Sequence, residues 1–153
     1  MPIDKVHIGR ETGTRTLLVS RSRLRLFAKA TGQTDPVYTD FDAARAAGHP
    51  DLPVPPTFFF AVSLETADPF TWLTDLGVDL RTVLHGEQEF VYHRVAHAGD
   101  ELTATARITD VYAKRGGALE FLVTTTTITG RHGQPVADAI GTTAIRRPAE
   151  VTA

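Results

Sequence analysis

Cysteine is absent from the 153 residues, which excludes disulfide frameworks, thiolate metal sites and cysteine nucleophiles at once. A dominant charge is absent too: 16 Lys and Arg against 18 Asp and Glu leave a formal charge of -2. That balance offers no electrostatic footprint for nucleic acid or for an anionic membrane surface. No apolar run approaches the roughly 20 residues needed to cross a bilayer. The opening "MPIDKVHIGRETG" lacks the basic region and following apolar stretch of a secretory signal. These absences lead us to expect a cytoplasmic protein whose partners are small molecules or other proteins. We expect one domain over residues 1–147 and a loose tail at 148–153.

What is present divides into two halves. In "VSRSRLRLFAKATG", Ser20 suits an N-cap, Val19 and Leu24 occupy staple positions, and Gly32 follows the last helical turn. Asp35-Pro36 marks a turn, and Asp40 can cap a short second helix, "FDAARAAG". Prolines at 53, 55 and 56 forbid regular structure until the last of them, which suits the first turn of a helix. From Thr57 to about Ala67 the residues are apolar on nearly every side, which predicts a buried helix. "FTWLTDLG" adds a short helical turn with the single tryptophan, Trp72. The second half is rich in Val, Ile, Thr and aromatics, broken at Ala98-Gly99-Asp100, Arg115-Gly116-Gly117 and His132-Gly133. It reads as four consecutive antiparallel strands in a meander, with a fifth near "VHIG" or "TLLV". Helices, one buried helix and then long strands make an α+β domain whose sheet wraps a central helix.

That architecture resembles the hot-dog fold, and a short motif carries the resemblance further. MaoC-like dehydratases and (R)-specific enoyl-thioester hydratases follow an N-terminal helix with G-D-x-N-P-x-H-x-D, whose second and seventh positions are the catalytic Asp and His. In "FAKATGQTDPVYTD", Gly32, Pro36 and Asp40 fall in register, while Gln33 stands at the Asp position and Tyr38 at the His position. "PVPPTFFF", "VLHGEQEFVYHR" and "AGDELTATARITDVYAKRGGALEFLVT" are similar to the N-terminal, FAS1-like dehydratase branch, over residues 18–147. The resemblance implies a subunit of an (R)-specific enoyl-thioester hydratase or 3-hydroxyacyl-thioester dehydratase in fatty-acyl metabolism. Its substrate would be an acyl-CoA or acyl carrier protein thioester, with no further cofactor. It would work as a homodimer, or as a heterodimer with a catalytic MaoC-like partner.

Hydration of an enoyl thioester needs a base for water, an acid for the α-carbon and donors for the growing oxyanion. A carboxamide does not titrate usefully and a phenol loses its proton only in alkaline solution, so Gln33 and Tyr38 supply no base. We expect them to hold the loop by hydrogen bonds. Thr57 would either cap the central helix or touch a thioester, and the N–H groups of Thr57 and Phe58 should be free of intrahelical partners. Phe58, Phe59 and Phe60 read as core or as a tunnel wall for an acyl chain; Thr57, Phe58 and Phe59 are the candidate substrate contacts. Strand parity places His85, Glu87, Glu89 and His93 on one face, with Leu84, Phe90 and Tyr92 on the other. His85 and Glu87, roughly 6–7 Å apart along an extended strand, are then the local candidates for a relocated acid–base pair, or polar residues at a subunit interface. The strand histidines are too far apart for a metal site, and none is expected. His49 is expected in a loop and His132 in a hairpin turn. Two other functions remain open: an independently active hydratase or hot-dog thioesterase, for which Glu65 is the acidic residue on the central helix, and a non-enzymatic acyl-thioester-binding protein. Arginines 21, 23, 25, 45, 146 and 147 are surface residues that could also meet carrier phosphates.

Overall fold

A computed structural model describes residues 2–147; the tail expected at 148–153 lies outside them. Strand β1 (Glu11–Leu18) precedes four helices: α1 (Arg21–Thr31), α2 (Phe41–Ala46), α3 (Phe59–Ser63) and α4 (Thr71–Thr74). Strands β2 (Val83–Tyr92), β3 (Glu101–Lys114), β4 (Leu119–Gly130) and β5 (Pro135–Arg146) follow. The early strand thus forms at "TLLV", and the α+β order is as expected.

Capping explains why α1 starts and stops where it does. The Ser20 hydroxyl accepts from the Arg23 N–H at 3.3 Å, and Gly32 takes a left-handed conformation (φ 69°) that lets Gln33 N–H reach the Ala28 carbonyl. Val19 and Leu24 are both fully sequestered in the main core, as the staple requires.

The sheet is antiparallel throughout, in the order β1-β3-β4-β5-β2. The expected four-strand meander is therefore corrected to three: β3, β4 and β5 are consecutive neighbours, while β2 pairs with β5 at the far edge. The segment after β2 bonds elsewhere. Val54 N–H donates to the Ala96 carbonyl and Ala98 N–H to that of Leu52, so residues 52–54 hold the connection away from a tight β2–β3 hairpin.

The central helix is shorter than expected. A 3-10 turn at Pro56–Phe58 runs into α3, which stops at Ser63 instead of continuing to Ala67. Pro69 would bring its ring against the Glu65 carbonyl and pushes Asp68 out of helical geometry. Arg23 of α1 also grips Glu65 with two bonds of 2.6 and 2.9 Å, fixing the chain just past the helix end. Nor is α3 buried all round. Phe58, Phe59 and Val62 are buried, while Phe60 is 41% exposed and Leu64 lies on the same open side.

Two apolar clusters form the core. One gathers Phe58, Phe59 and Val62 with Leu17, Leu24, Leu102 and Ile128; the other gathers Leu73, Val78, Ile108, Val111, Leu122 and Ile145. Glu120, 4% exposed, lies on β4 and accepts from the Ile3 N–H at 2.8 Å and from the Arg147 guanidinium. That carboxylate joins the two ends of the described chain, since a buried charge is tolerated only when it is paired.

Candidate functional site

Between the two core clusters the concave face of the sheet carries small side chains. Ala104 and Ala106 of β3, Thr124 and Thr126 of β4, and Ala139 and Gly141 of β5 line it, with Ala106, Thr126 and Ala139 paired in one row and Thr124 paired with Gly141. Because alternate residues of a strand share a face, the runs "TATA", "TTTT" and "ADAIG" place a floor of methyls, hydroxyls and one glycine there. The result is a mostly apolar cavity of about 310 Å³, at the lower end of the range for small-molecule sites. Trp72 and Leu73 of α4 border it on one side. Its exposed rim is formed by Phe60, Leu64, Phe70, Leu84 and His85.

This cavity rearranges the substrate contacts expected from sequence. Phe58 and Phe59 are core residues: Phe58 meets Phe27 edge-to-face at 5.3 Å, and Phe59 packs against Tyr92 at 6.0 Å. The phenylalanine that borders the cavity is Phe60. Thr57 is exposed and makes no capping bond; Pro55 occupies the N-cap position without a side-chain acceptor. Phe58 N–H, expected to be free, donates to the Pro55 carbonyl at 3.0 Å. The Tyr92 hydroxyl fixes the same turn by donating to the Pro56 carbonyl at 3.1 Å, and burial pushes the Tyr92 phenol above its ordinary pKa.

The relocated pair does not form, because β2 contains a bulge. His85 opposes Thr143 and Glu87 opposes Thr142, leaving Gly86 as the extra residue. A bulge reverses parity across itself. His85 therefore faces the cavity together with Gln88, while Glu87 points from the opposite face, and Phe90 and Tyr92 share the inner side with His85. Gly86 belongs there for steric reasons: an added Cβ would stand 3.0 Å from the Thr142 carbonyl oxygen. The His85 ring lies 5.7 Å from that of Phe60 at the rim. Among the described residues, no Asp or Glu lines the cavity.

The motif loop is held through Gln33, whereas the Tyr38 hydroxyl makes no hydrogen bond among the described residues. The Gln33 carboxamide oxygen accepts from the Asp35 N–H at 3.0 Å, Asp35 caps the 3-10 turn Pro36–Tyr38, and Asp40 caps α2 through the Ala43 N–H. Gln33 is exposed and Tyr38 half-buried. Glu65 lies beyond the end of α3 at the surface, and its hydrogen bonds from Arg23 hold its carboxyl below the ordinary carboxylate range. It does not line the cavity beneath α3. Among the described residues there is no cluster suited to a metal ion, and no helix is long and apolar enough to cross a membrane.

Four further histidines have partners or turns of their own. His93 meets Asp138 at 2.8 Å, and His132 sits in the β4–β5 turn. His49 Nδ1 and His97 Nε2 are 3.1 Å apart in a half-buried pair that the sequence did not reveal, since 48 residues separate them. Burial first, and then the neighbouring His49 ring, push the His97 pKa below its ordinary value; Asp100 and Asp51 pull it the other way.

With this geometry in view, the comparisons with known proteins are direct. Residues 6–139 match the family described as the FAS1-like, dehydratase domain region. The chain belongs to that family. It is 39% identical over 151 residues to a UPF0336 protein of Saccharopolyspora erythraea, covering 98% of this chain and 96% of the relative. A UPF0336 protein of Streptomyces coelicolor is 40% identical over 117 residues, covering 76% of this chain and 78% of the relative. Among solved structures, this FAS1-like dehydratase domain is similar in fold to a chain of the Mycobacterium tuberculosis HadBC (3R-hydroxyacyl-ACP dehydratase) complex (TM-score 0.76, 24% identity, 94% and 99% of the two chains). It is also similar to a chain of the ChsH1-ChsH2 complex from the same organism (TM-score 0.74, 22% identity, 94% and 88%). The fold is the hot-dog fold of the MaoC-like dehydratases.

Proposed function

We propose that this chain is the acyl-binding, non-catalytic subunit of a hydratase or dehydratase that acts on fatty-acyl thioesters. One observation carries the reading: an acyl-sized apolar cavity lies beneath the central helix and, among the described residues, no carboxylate lines it. Proton transfer to and from carbon and water requires an acid and a base poised together. Here the two motif positions hold a carboxamide and a phenol, and the bulge at Gly86 separates His85 from Glu87. A MaoC-like partner would supply the Asp and His. The two complexes of similar fold each contain two different named subunits or a paired designation, HadBC and ChsH1-ChsH2. The β2 edge of this chain, with exposed Leu84, Val91 and Tyr92, offers an unpaired strand for such a partner.

The test is hydration of a medium-chain trans-2-enoyl-CoA by the purified chain, followed by loss of the enoyl-thioester absorbance alongside equilibrium binding of the same compound. The expected result is binding without turnover, and turnover on addition of a catalytic MaoC-like subunit that co-purifies with it. Turnover by the chain alone, abolished in His85→Ala, would overturn the reading in favour of an independent enzyme. Binding with no partner and no turnover in any combination would leave a thioester-binding protein.

A further inference from the structure

Several arginines are committed to carboxylates, among them Arg21 to Asp51, Arg23 to Glu65, Arg107 to Glu11 and Arg147 to Glu120. Arg15 is not. It sits on β1 opposite Ala104, on the strand face that borders the cavity. Its Nη1 donates to the Thr14 carbonyl at 2.9 Å, while its Nε is buried with no acceptor. Among the described residues it has no ion-pair partner, and the polar groups that share the cavity with it, such as Ser63, Gln88, Thr124 and Thr126, are neutral.

The backbone beneath Arg15 is shaped for it. Gly13 has a φ of +146°, a conformation that residues with side chains rarely adopt, and marks a register shift between β1 and β3. A Cβ added at Gly13 would meet Nη1 of Arg15 and stand 2.9 Å from its Cζ, so the guanidinium occupies the space that a side chain at Gly13 would take. A buried donor on a charged group is costly when it has no acceptor, and a ligand oxyanion removes that cost through charge-assisted bonds.

From these observations we infer that Arg15 is a specificity-determining residue that selects ligands whose apolar chain ends in a carboxylate. The exposed rim includes Leu84 and His85 of β2, and Arg15 projects from β1, the opposite edge strand of the sheet. A chain inserted from the rim therefore carries its far end to Arg15. The carboxylate has two sources: the ω-carboxyl of a dicarboxylic acyl thioester, or the head group of a free fatty acid. The first rests on the function proposed above; the second does not.

Trp72 is the single tryptophan and borders the cavity, so its fluorescence reports occupancy. Two matched pairs are titrated into the full chain: octanoate against octanol, and the mono-CoA thioester of octanedioic acid against octanoyl-CoA. The expected result is about tenfold tighter binding of the carboxylate member in at least one pair, lost in Arg15→Gln and partly retained in Arg15→Lys. The first pair assigns the free acid and the second the ω-carboxyl thioester. Equal affinity within both pairs overturns the inference, as does a preference that survives Arg15→Gln. Wild-type affinities decide the matter even if a variant fails to fold. Octanoyl-CoA binding as well as its ω-carboxyl counterpart, with no preference in the first pair, overturns this inference alone. Failure of both thioesters while octanoate binds in an Arg15-dependent way overturns the proposed thioester function and leaves this inference standing.

Discussion

Ala106 sits on the concave face of β3 opposite Thr126, and its single methyl helps keep the space beneath α3 open. Leucine at this position would extend into the cavity and not into packed neighbours, so the usual overpacking cost of about 1–3 kcal/mol should largely be absent. Ala106→Leu is expected to weaken acyl-ligand binding by about tenfold or more while leaving the melting temperature within about 2 °C of wild type. Calorimetric titration and a thermal melt check both halves. His97 sets a different residue-level expectation. Its folded-state pKa lies below the ordinary value because of burial and the His49 ring. As pH falls through about 6.5, the unfolded chain takes up that proton before the folded chain does, so stability drops from there toward the lower folded pKa. The contribution is fully present above that window. The melting temperature should therefore fall between pH 7.5 and pH 5.5, above the range where carboxylates titrate, and fall less in His97→Gln.

β2 shows how one residue governs an element. Gly86 adds a position without a partner, and an alanine there would press a methyl to 3.0 Å from the Thr142 carbonyl, which the sheet holds in place. Gly86→Ala is expected to cost about 1–2 kcal/mol and lower the melting temperature by roughly 2–6 °C; differential scanning calorimetry measures it. The same glycine marks where the sequence stopped being legible. Strand parity holds only along an unbroken ladder, and the isolated glycine in "LHGEQEF" is the one local sign that the period slips, which separates His85 from Glu87. Caps and staples were legible because Ser20, Gly32, Asp35 and Asp40 act on backbone groups within a few residues. The length of α3 was legible only in part: the clash of Pro69 with the Glu65 carbonyl is local, whereas Arg23 reaches Glu65 across 42 positions. The cavity left a trace that went unread: alternate small residues on three neighbouring strands, where a packed core would show alternate large ones.

At the scale of the whole molecule, the β2 edge of the sheet lies beside an apolar rim. Leu84 is 52% and Phe70 45% exposed in the isolated chain, and both stand next to Phe60 around the cavity. A second chain laid along β2 would cover that surface, and a lysine at Leu84 would place an unpaired charge within the contact. Leu84→Lys is expected to shift the protein toward monomer in sedimentation velocity, with a far-ultraviolet circular dichroism spectrum like that of wild type. The surface arginines carry a last consequence. Of the six that sequence alone offered to carrier phosphates, Arg21, Arg23 and Arg147 are ion-paired, while Arg25 (which donates to the Thr39 carbonyl), Arg45 and Arg146 have no carboxylate partner among the described residues. Paired charges are dipoles whose fields die away within a few ångströms, whereas unpaired ones reach out to the Debye length. The isolated chain should consequently capture an anionic thioester at a rate that changes little between low and physiological ionic strength, so any steep salt response in the assembled complex would originate in the partner.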